Sequence, residues 1–283
     1  MSIDTVLAHL ELDLPEDTFT YCLADGLTIA YARPAASQIG PPGTLGTDNT
    51  LRVSGTLPRV PDGANTTVLV LTQGPAGPVL FPVDPSRTTV VPGTNLAGEP
   101  RDTLHLSSYE VDSCLVHPIT PRQYAEAELR AALARARLIA EAAERCVELT
   151  SAHTSSRVQF GRPLSHFQAV KQEEARLIEE CALVCGAVDA AAESLRLHGS
   201  DAWFPVAAAK AQASASVAEI ARISHQLHGA IGFTELSPLR YATTGLWSWR
   251  DEDGDESYWS ARLGRSAVAE GPDALWSLLT GTA

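Results

Sequence analysis

Arg157-Val-Gln-Phe-Gly-Arg-Pro-Leu-Ser-His-Phe-Gln168 stands between two long runs of helix-forming residues. The run before it, Arg122 to Ala152, is rich in Ala, Leu, Glu and Arg, with Leu129, Leu133, Ala136 and Ala140 recurring at helical spacing. The run after it carries Phe167, Val170, Ala175 and Ile178 towards Gly199. Pro163 is placed in the first turn of that second helix, where a missing N–H costs nothing. A third helix is predicted from about Pro205 to Leu227, Ala-rich enough for close packing, and a fourth opens near Pro238. Four long helices in succession predict an antiparallel bundle.

Working outward from the quoted stretch, the chain changes character near residue 120. Before it, Pro and Gly are frequent and short apolar runs alternate with turn signals: Leu51-Arg-Val-Ser-Gly, Thr67-Val-Leu-Val-Leu-Thr, Pro78-Val-Leu-Phe-Pro-Val, Thr88-Thr-Val-Val and Thr103-Leu-His-Leu. Such runs predict four to six strands in a small β-domain. The fold class is therefore α+β, with domains at 1–48 (a remnant N-terminal segment), 49–118 (β-domain) and 119–283 (helical bundle). Within the opening segment a short helix is expected from Thr5 to Leu12 and a loop from Pro34 to Gly46.

Composition excludes some functions. The 283 residues are 45% hydrophobic and 19% charged, and the formal net charge of −13 argues against a nucleic-acid partner, which needs clustered Lys and Arg. A few local arginines can still hold an anionic ligand. The N-terminus lacks the pattern of a secretory signal, and no run approaches the roughly 20 apolar residues of a membrane span, so a soluble cytoplasmic protein without a membrane partner is expected. Five cysteines, Cys22, Cys114, Cys146, Cys181 and Cys185, have no framework spacing and fit reduced thiols. Cys181 and Cys185 share a helix face; two small buried hydrophobes are the better reading than a metal pair, and no metal is expected.

The quoted stretch resembles the Arg-x-x-Phe-Gly-x-x-(Leu/Ile)-x-x-x-Gln signature of acyl-CoA dehydrogenases. A second segment, Gln226-Leu-His-Gly-Ala-Ile-Gly-Phe233, is similar to that family's Gln-x-x-Gly-Gly-x-Gly-Phe turn, with Ala230 where the family has its second glycine. On these two motifs and the preceding strands, from about residue 50 onward, the chain is identified as a member of that family. The residue chemistry is compatible. A guanidinium forks onto phosphate oxygens, so Arg157 suits a pyrophosphate; Phe160 supplies an apolar wall, Gln168 and Gln226 can hydrogen-bond a dinucleotide, and Gly229 and Gly232 allow close backbone approach. Each residue also has a plain structural use: Arg at a helix C-terminus meets the dipole, a Gly-rich turn ends a helix, and Gln is often merely exposed. The resemblance implies that Arg157, Phe160, Gln168, Gln226, Gly229 and Ala230 contact FAD, and in the family such positions reach a neighbouring subunit's pyrophosphate and adenosine.

Other family features are reduced. Only about fifty residues precede the β-domain, so most of an N-terminal helical domain is expected to be missing. The Thr-Glu-Pro and Gly-Ser-Asp stretch has no counterpart beyond Gly43-Thr-Leu-Gly-Thr, and the flavin-contacting Trp segment is replaced by Val60-Pro-Asp-Gly-Ala-Asn. The family's base removes a proton alpha to a thioester; alignment places Asp253 at one of its positions, inside an acidic loop that also reads as merely solvated. The alternative position falls near Ala131, with Glu128 one turn away. The shortened front and the segment Leu246–Trp259 are similar to the smaller subunits of actinobacterial heteromeric acyl-CoA dehydrogenases acting on steroid side chains. This implies an α2β2 assembly with a larger acyl-CoA dehydrogenase subunit, a shared FAD and an acyl-CoA substrate. The alternatives are a self-contained dehydrogenase with Asp253 as base, and a non-enzymatic scaffold subunit.

Overall fold

The computed structural model describes residues 19–23, 28–32 and 50–280. The predicted helix at Thr5–Leu12 and the loop at Pro34–Gly46 lie outside the described residues. The chain forms two compact units, Met1–Ala127 and Glu128–Ala283.

The first unit contains two four-stranded sheets. One has the order β1-β4-β5-β8, from strands β1 (Phe19–Leu23), β4 (Thr67–Gly74), β5 (Gly77–Val83) and β8 (His117–Pro118). The other has the order β2-β3-β7-β6, from β2 (Thr28–Ala32), β3 (Thr50–Pro61), β7 (Arg101–Asp112) and β6 (Thr89–Val91). The opening segment, set apart in the sequence reading, thus supplies one strand to each sheet: β1 runs parallel to β4, and β2 antiparallel to β3.

Side chains from both sheets share one core, including Leu51, Val53, Leu57, Val68, Val70, Phe81, Leu104 and Tyr109. Apolar alternation sets which face turns inward. On β7 it switches from Leu104 and Leu106 to Tyr109 and Val111. A register shift opposite Val53/Gly55 absorbs the odd residue, with Ser108 at φ 49° and its N–H donating to Ser54 Oγ. On β3 a second shift between Leu57 and Val60, with Arg59 at φ 56°, moves Val60 into the core. These bulges let two 12-residue strands keep one buried face through a change of phase.

The second unit is helical. Helix α1 (Pro121–Ser156) is followed by α2 (Gln168–His198), α3 (Trp203–His228), α4 (Leu239–Arg250) and α5 (Glu256–Thr280), the last kinked at Gly271. Connections are short, so successive long helices return antiparallel. Their shared core contains Leu129, Ile139 and Cys146 of α1, Leu177 and Val184 of α2, Ile220 and Ile223 of α3, Leu246 of α4 and Trp259 of α5. On α3 the buried face carries Ala207, Ala209, Ala213 and Ala221, whose small side chains let neighbouring backbones approach. The helix expected to open near Pro238 is short, and a turn at 251–255 separates it from α5. There Asp253 (φ 55°) and Gly254 (φ 89°) leave helical conformation. Cys181 lies in the bundle core and Cys185 packs against it, their sulfurs 3.9 Å apart. Burial pushes the Cys181 thiol up to about 12. Among the described residues, no helix is long and apolar enough to cross a membrane.

Candidate functional site

Arg157 is the first residue beyond α1, and its N–H donates to His153 O at 2.8 Å. The chain then makes a tight hairpin of β9 (Val158–Gln159) against antiparallel β10 (Arg162–Pro163). Its two central residues, Phe160 (φ 53°) and Gly161 (φ 82°), both take positive φ, as type I′ turns require. Glycine does this freely; phenylalanine does not. The turn nevertheless holds the Phe160 ring outward, 92% exposed. Pro163 therefore lies in the hairpin and not in the first turn of a helix. A 3-10 turn, Leu164–His166, follows, and α2 starts at Gln168. Leu164 N donating to Arg157 O at 2.9 Å closes the loop, while the Arg162 guanidinium sits 4.2 Å over the Phe167 ring.

At the far end of α3, Gly229 (φ 64°) terminates the helix, its N–H donating to His225 O. A 3-10 turn follows from Gly229 to Phe233. A cavity of about 600 Å³ opens here, with Gln226, Gly229 and Ala230 on its wall beside His225, Phe233 and Trp247. Gly229 has open space around it, whereas a Cβ at Gly232 would meet His228 Cβ at 2.8 Å. Gly232 thus serves helix packing. Arg157, Phe160 and Gln168 do not line this cavity.

Two histidines connect the two segments, and a third braces the second of them. His153, one turn before Arg157 on α1, stacks on His228, the last residue of α3, with ring centroids 4.6 Å apart and planes at 18°. His225 stacks on Phe233 at 4.3 Å, and its Nε2 lies 3.0 Å from Thr243 Oγ1. Burial, the His228 ring and the Arg157 guanidinium hold His153 below its ordinary value. Burial and then His228 do the same for His225.

Asp253 sits in the turn between α4 and α5. Its carboxylate accepts from Arg135 Nε at 2.8 Å, and its carbonyl accepts from Trp259 Nε1 at 3.0 Å. Glu252, its neighbour, is buried and pairs with the same Arg135. The acidic stretch is consequently a built turn and not a merely solvated loop. Asp253 does not line the cavity. Of the alternative positions, Ala131 is buried, while Glu128 accepts from Tyr258 Oη at 2.7 Å and pairs with Arg262 at 2.8 Å.

Residues 126–249, from α1 to α4, match the family described as acyl-CoA dehydrogenase, C-terminal domain. This helical segment is an acyl-CoA dehydrogenase C-terminal domain. It resembles acyl-CoA dehydrogenase IpdE2 of Mycobacterium tuberculosis, with 41% identity over 95 residues, which is 33% of this chain and 27% of that protein. The same-named protein of Mycolicibacterium smegmatis is 36% identical over 93 residues, covering 33% of this chain and 28% of its own. Each match spans little more than a quarter of the curated relative. Among solved structures, the ChsE4-ChsE5 complex from Mycobacterium tuberculosis superposes with a TM-score of 0.81 at 21% identity, over 95% of this chain and 74% of that one. That likeness shows the fold. A variant of the Tcur3481-Tcur3483 steroid ACAD gives a TM-score of 0.69 at 26% identity, over 78% of this chain and 60% of that one.

In this acyl-CoA dehydrogenase domain the sequence reading found both surface segments but missed His153 and His228. A signal existed. His153 precedes Arg157 by four residues, and such pairs share a helix face. The stacking partner, 75 residues later in the chain, had no local signal.

Proposed function

We propose that this chain is one subunit of a heteromeric FAD-dependent acyl-CoA dehydrogenase, desaturating an acyl-CoA thioester between Cα and Cβ. Its Arg157, Phe160, Gln168, Gln226, Gly229 and Ala230 complete an FAD site whose flavin end and base lie on a larger partner subunit. The assembly is an α2β2 heterotetramer in the cytoplasm, with an acyl chain carrying a steroid as substrate class.

One observation carries the reading. In a chain of net charge −13, Arg145, Arg176, Arg196 and Arg222 each hold a glutamate, yet Arg157 has no ion-pair or hydrogen-bond partner for its side chain among the described residues. Beside it a strained turn keeps a phenyl ring in water. A free guanidinium near a largely exposed aromatic ring, in edge contact only with Phe167, suits the diphosphate and planar rings of a dinucleotide. Gln168 and Gln226 are exposed, likewise without side-chain partners, and can bond its polar edges. The residues present therefore fit the adenosine diphosphate half of FAD, held from outside. Bound FAD would supply the hydride acceptor; this chain's residues bind and orient it.

The steroid assignment rests on the steroid ACAD to which the chain is 26% identical. The test is flavin content: the chain purified alone is expected to carry little FAD, and its co-expressed complex to be yellow with fewer flavins than chains. Full flavin loading of the isolated chain would sink the proposal in favour of a self-contained enzyme. An Arg157→Ala complex with undiminished flavin would favour a scaffold.

A further inference from the structure

We infer that His153 and His228 form, with Arg157, a diphosphate-holding site that takes up one proton as its anion binds. This rests on the FAD reading above and gives it a second source of positive charge.

Placement is the first argument. The stacked pair is the link between the two segments: His153 lies one helical turn before Arg157, and His228 immediately precedes Gly229. An anion bridging the loop after α1 and the turn after α3 therefore lies over or beside these rings.

The second argument is charge. A dinucleotide diphosphate carries two negative charges, and Arg157 offers one positive charge. Two imidazoles 4.6 Å apart do not both ionise readily, because the second proton is opposed by the first. The pair therefore gains at most one proton beyond those of the neutral rings. His228 Nδ1 lies 2.8 Å from Ser224 O, a carbonyl that can only accept, so Nδ1 bears the hydrogen and Nε2 is left free to face a ligand. Without the anion, burial, the stacked ring and the Arg157 cation all oppose protonation of His153. A bound anion opposes these influences and favours the charged form of His153.

On the same loop as Arg157, the Arg162 guanidinium is committed to the face of the Phe167 ring. On α2, Glu174 is engaged by the Thr154 hydroxyl. On α3, Arg222 is already held by Glu173 and Glu219, and His225 is fixed against Phe233 and Thr243.

The test titrates ADP-ribose, which shares the adenosine diphosphate of FAD and carries a ribose in place of the ribityl flavin, and whose phosphate diesters do not change charge near neutrality. It is added to the full chain and to the flavin-stripped complex, in buffers of different ionisation heat. Net proton uptake is expected, with binding roughly tenfold tighter at about pH 6 than at about pH 8. His153→Gln and His228→Gln should each remove most of the uptake and flatten the pH dependence, while binding still depends on Arg157. Arg157-dependent binding without proton exchange in the unmutated protein overturns this inference and leaves the FAD reading standing. No Arg157-dependent binding in either preparation overturns both.

Discussion

Arg135 Nε and Asp253 Oδ2 stand 2.8 Å apart although 118 residues separate them in the chain. The guanidinium on α1 also reaches Glu252 Oε2 at 3.1 Å, so one cation holds two of the four acids in the turn between α4 and α5. The Trp259 indole N–H closes the same turn on the Asp253 carbonyl. Asp253 is thereby placed as an anchor that joins α1 to the start of α5.

Asp253→Asn should accordingly act on stability. Both partners are partly buried, so the loss lies between that of a surface pair and that of a buried one, about 2 kcal/mol in denaturant unfolding. Flavin content and turnover of the folded complex are expected to stay near their unmutated values. Abolished turnover at unchanged flavin content would instead make Asp253 the base.

Gly254 in the same turn has no room for a side chain. A Cβ there would lie 2.4 Å from Trp259 Nε1 and 2.7 Å from Tyr258 Cδ1, and its φ of 89° is unfavourable for any L residue. Gly254→Ala is expected to lose roughly 3 kcal/mol or more, from strain plus displacement of the buried Trp259. Thermal unfolding checks this, and a shift of less than a degree would show that the turn yields.

Lys210 is fully buried on α3, its ammonium donating to Ser214 Oγ at 3.0 Å and to the carbonyls of Arg250 at 2.9 Å and Trp249 at 3.3 Å. It thus caps the C-terminal end of α4. Burial lowers it from an ordinary 10.5 to about 8, with the Arg135 cation contributing and Asp253, Asp251 and Asp255 opposing. Between those values the unfolded chain binds the proton that the folded chain has released, so stability rises with pH by up to ~3 kcal/mol across this window. Urea unfolding at about pH 8 and about pH 10 should show that rise in the unmutated chain, and Lys210→Met should remove it.

The helices were legible because long Ala- and Leu-rich stretches carry their period locally. Arg122–Ala152 became Pro121–Ser156, and Pro205–Leu227 became Trp203–His228. Strands β3 and β7 were read as fragments because a bulge reverses the inward phase and interrupts the alternation that identifies a strand. The turn at 251–255 looked solvated because its counter-ion, Arg135, lies on another helix. Pro163 suited a helix start equally well until the pairing of Val158 with it made a hairpin. At the site, Arg157, Phe160 and the Gly229 turn were readable as motifs, whereas the histidine stack that joins them exists only once α1 and α3 end side by side.

Arg157 offers the sharpest separation of binding from folding. Its guanidinium has no partner among the described residues, so Arg157→Ala should leave the unfolding midpoint of the chain within the range of neutral surface changes. A charge-assisted fork onto phosphate contributes about 2 kcal/mol, so FAD affinity of the complex, followed by flavin fluorescence, should weaken roughly thirtyfold. Arg157→Lys keeps the charge but loses the planar fork, and is expected to recover only part of that loss. Removing the cation also lifts one of the influences that depress His153. Its imidazole resonance should therefore titrate at higher pH in Arg157→Ala, whether or not FAD is present. An unchanged His153 titration would place the guanidinium too far from the stacked pair for the two to share an anion.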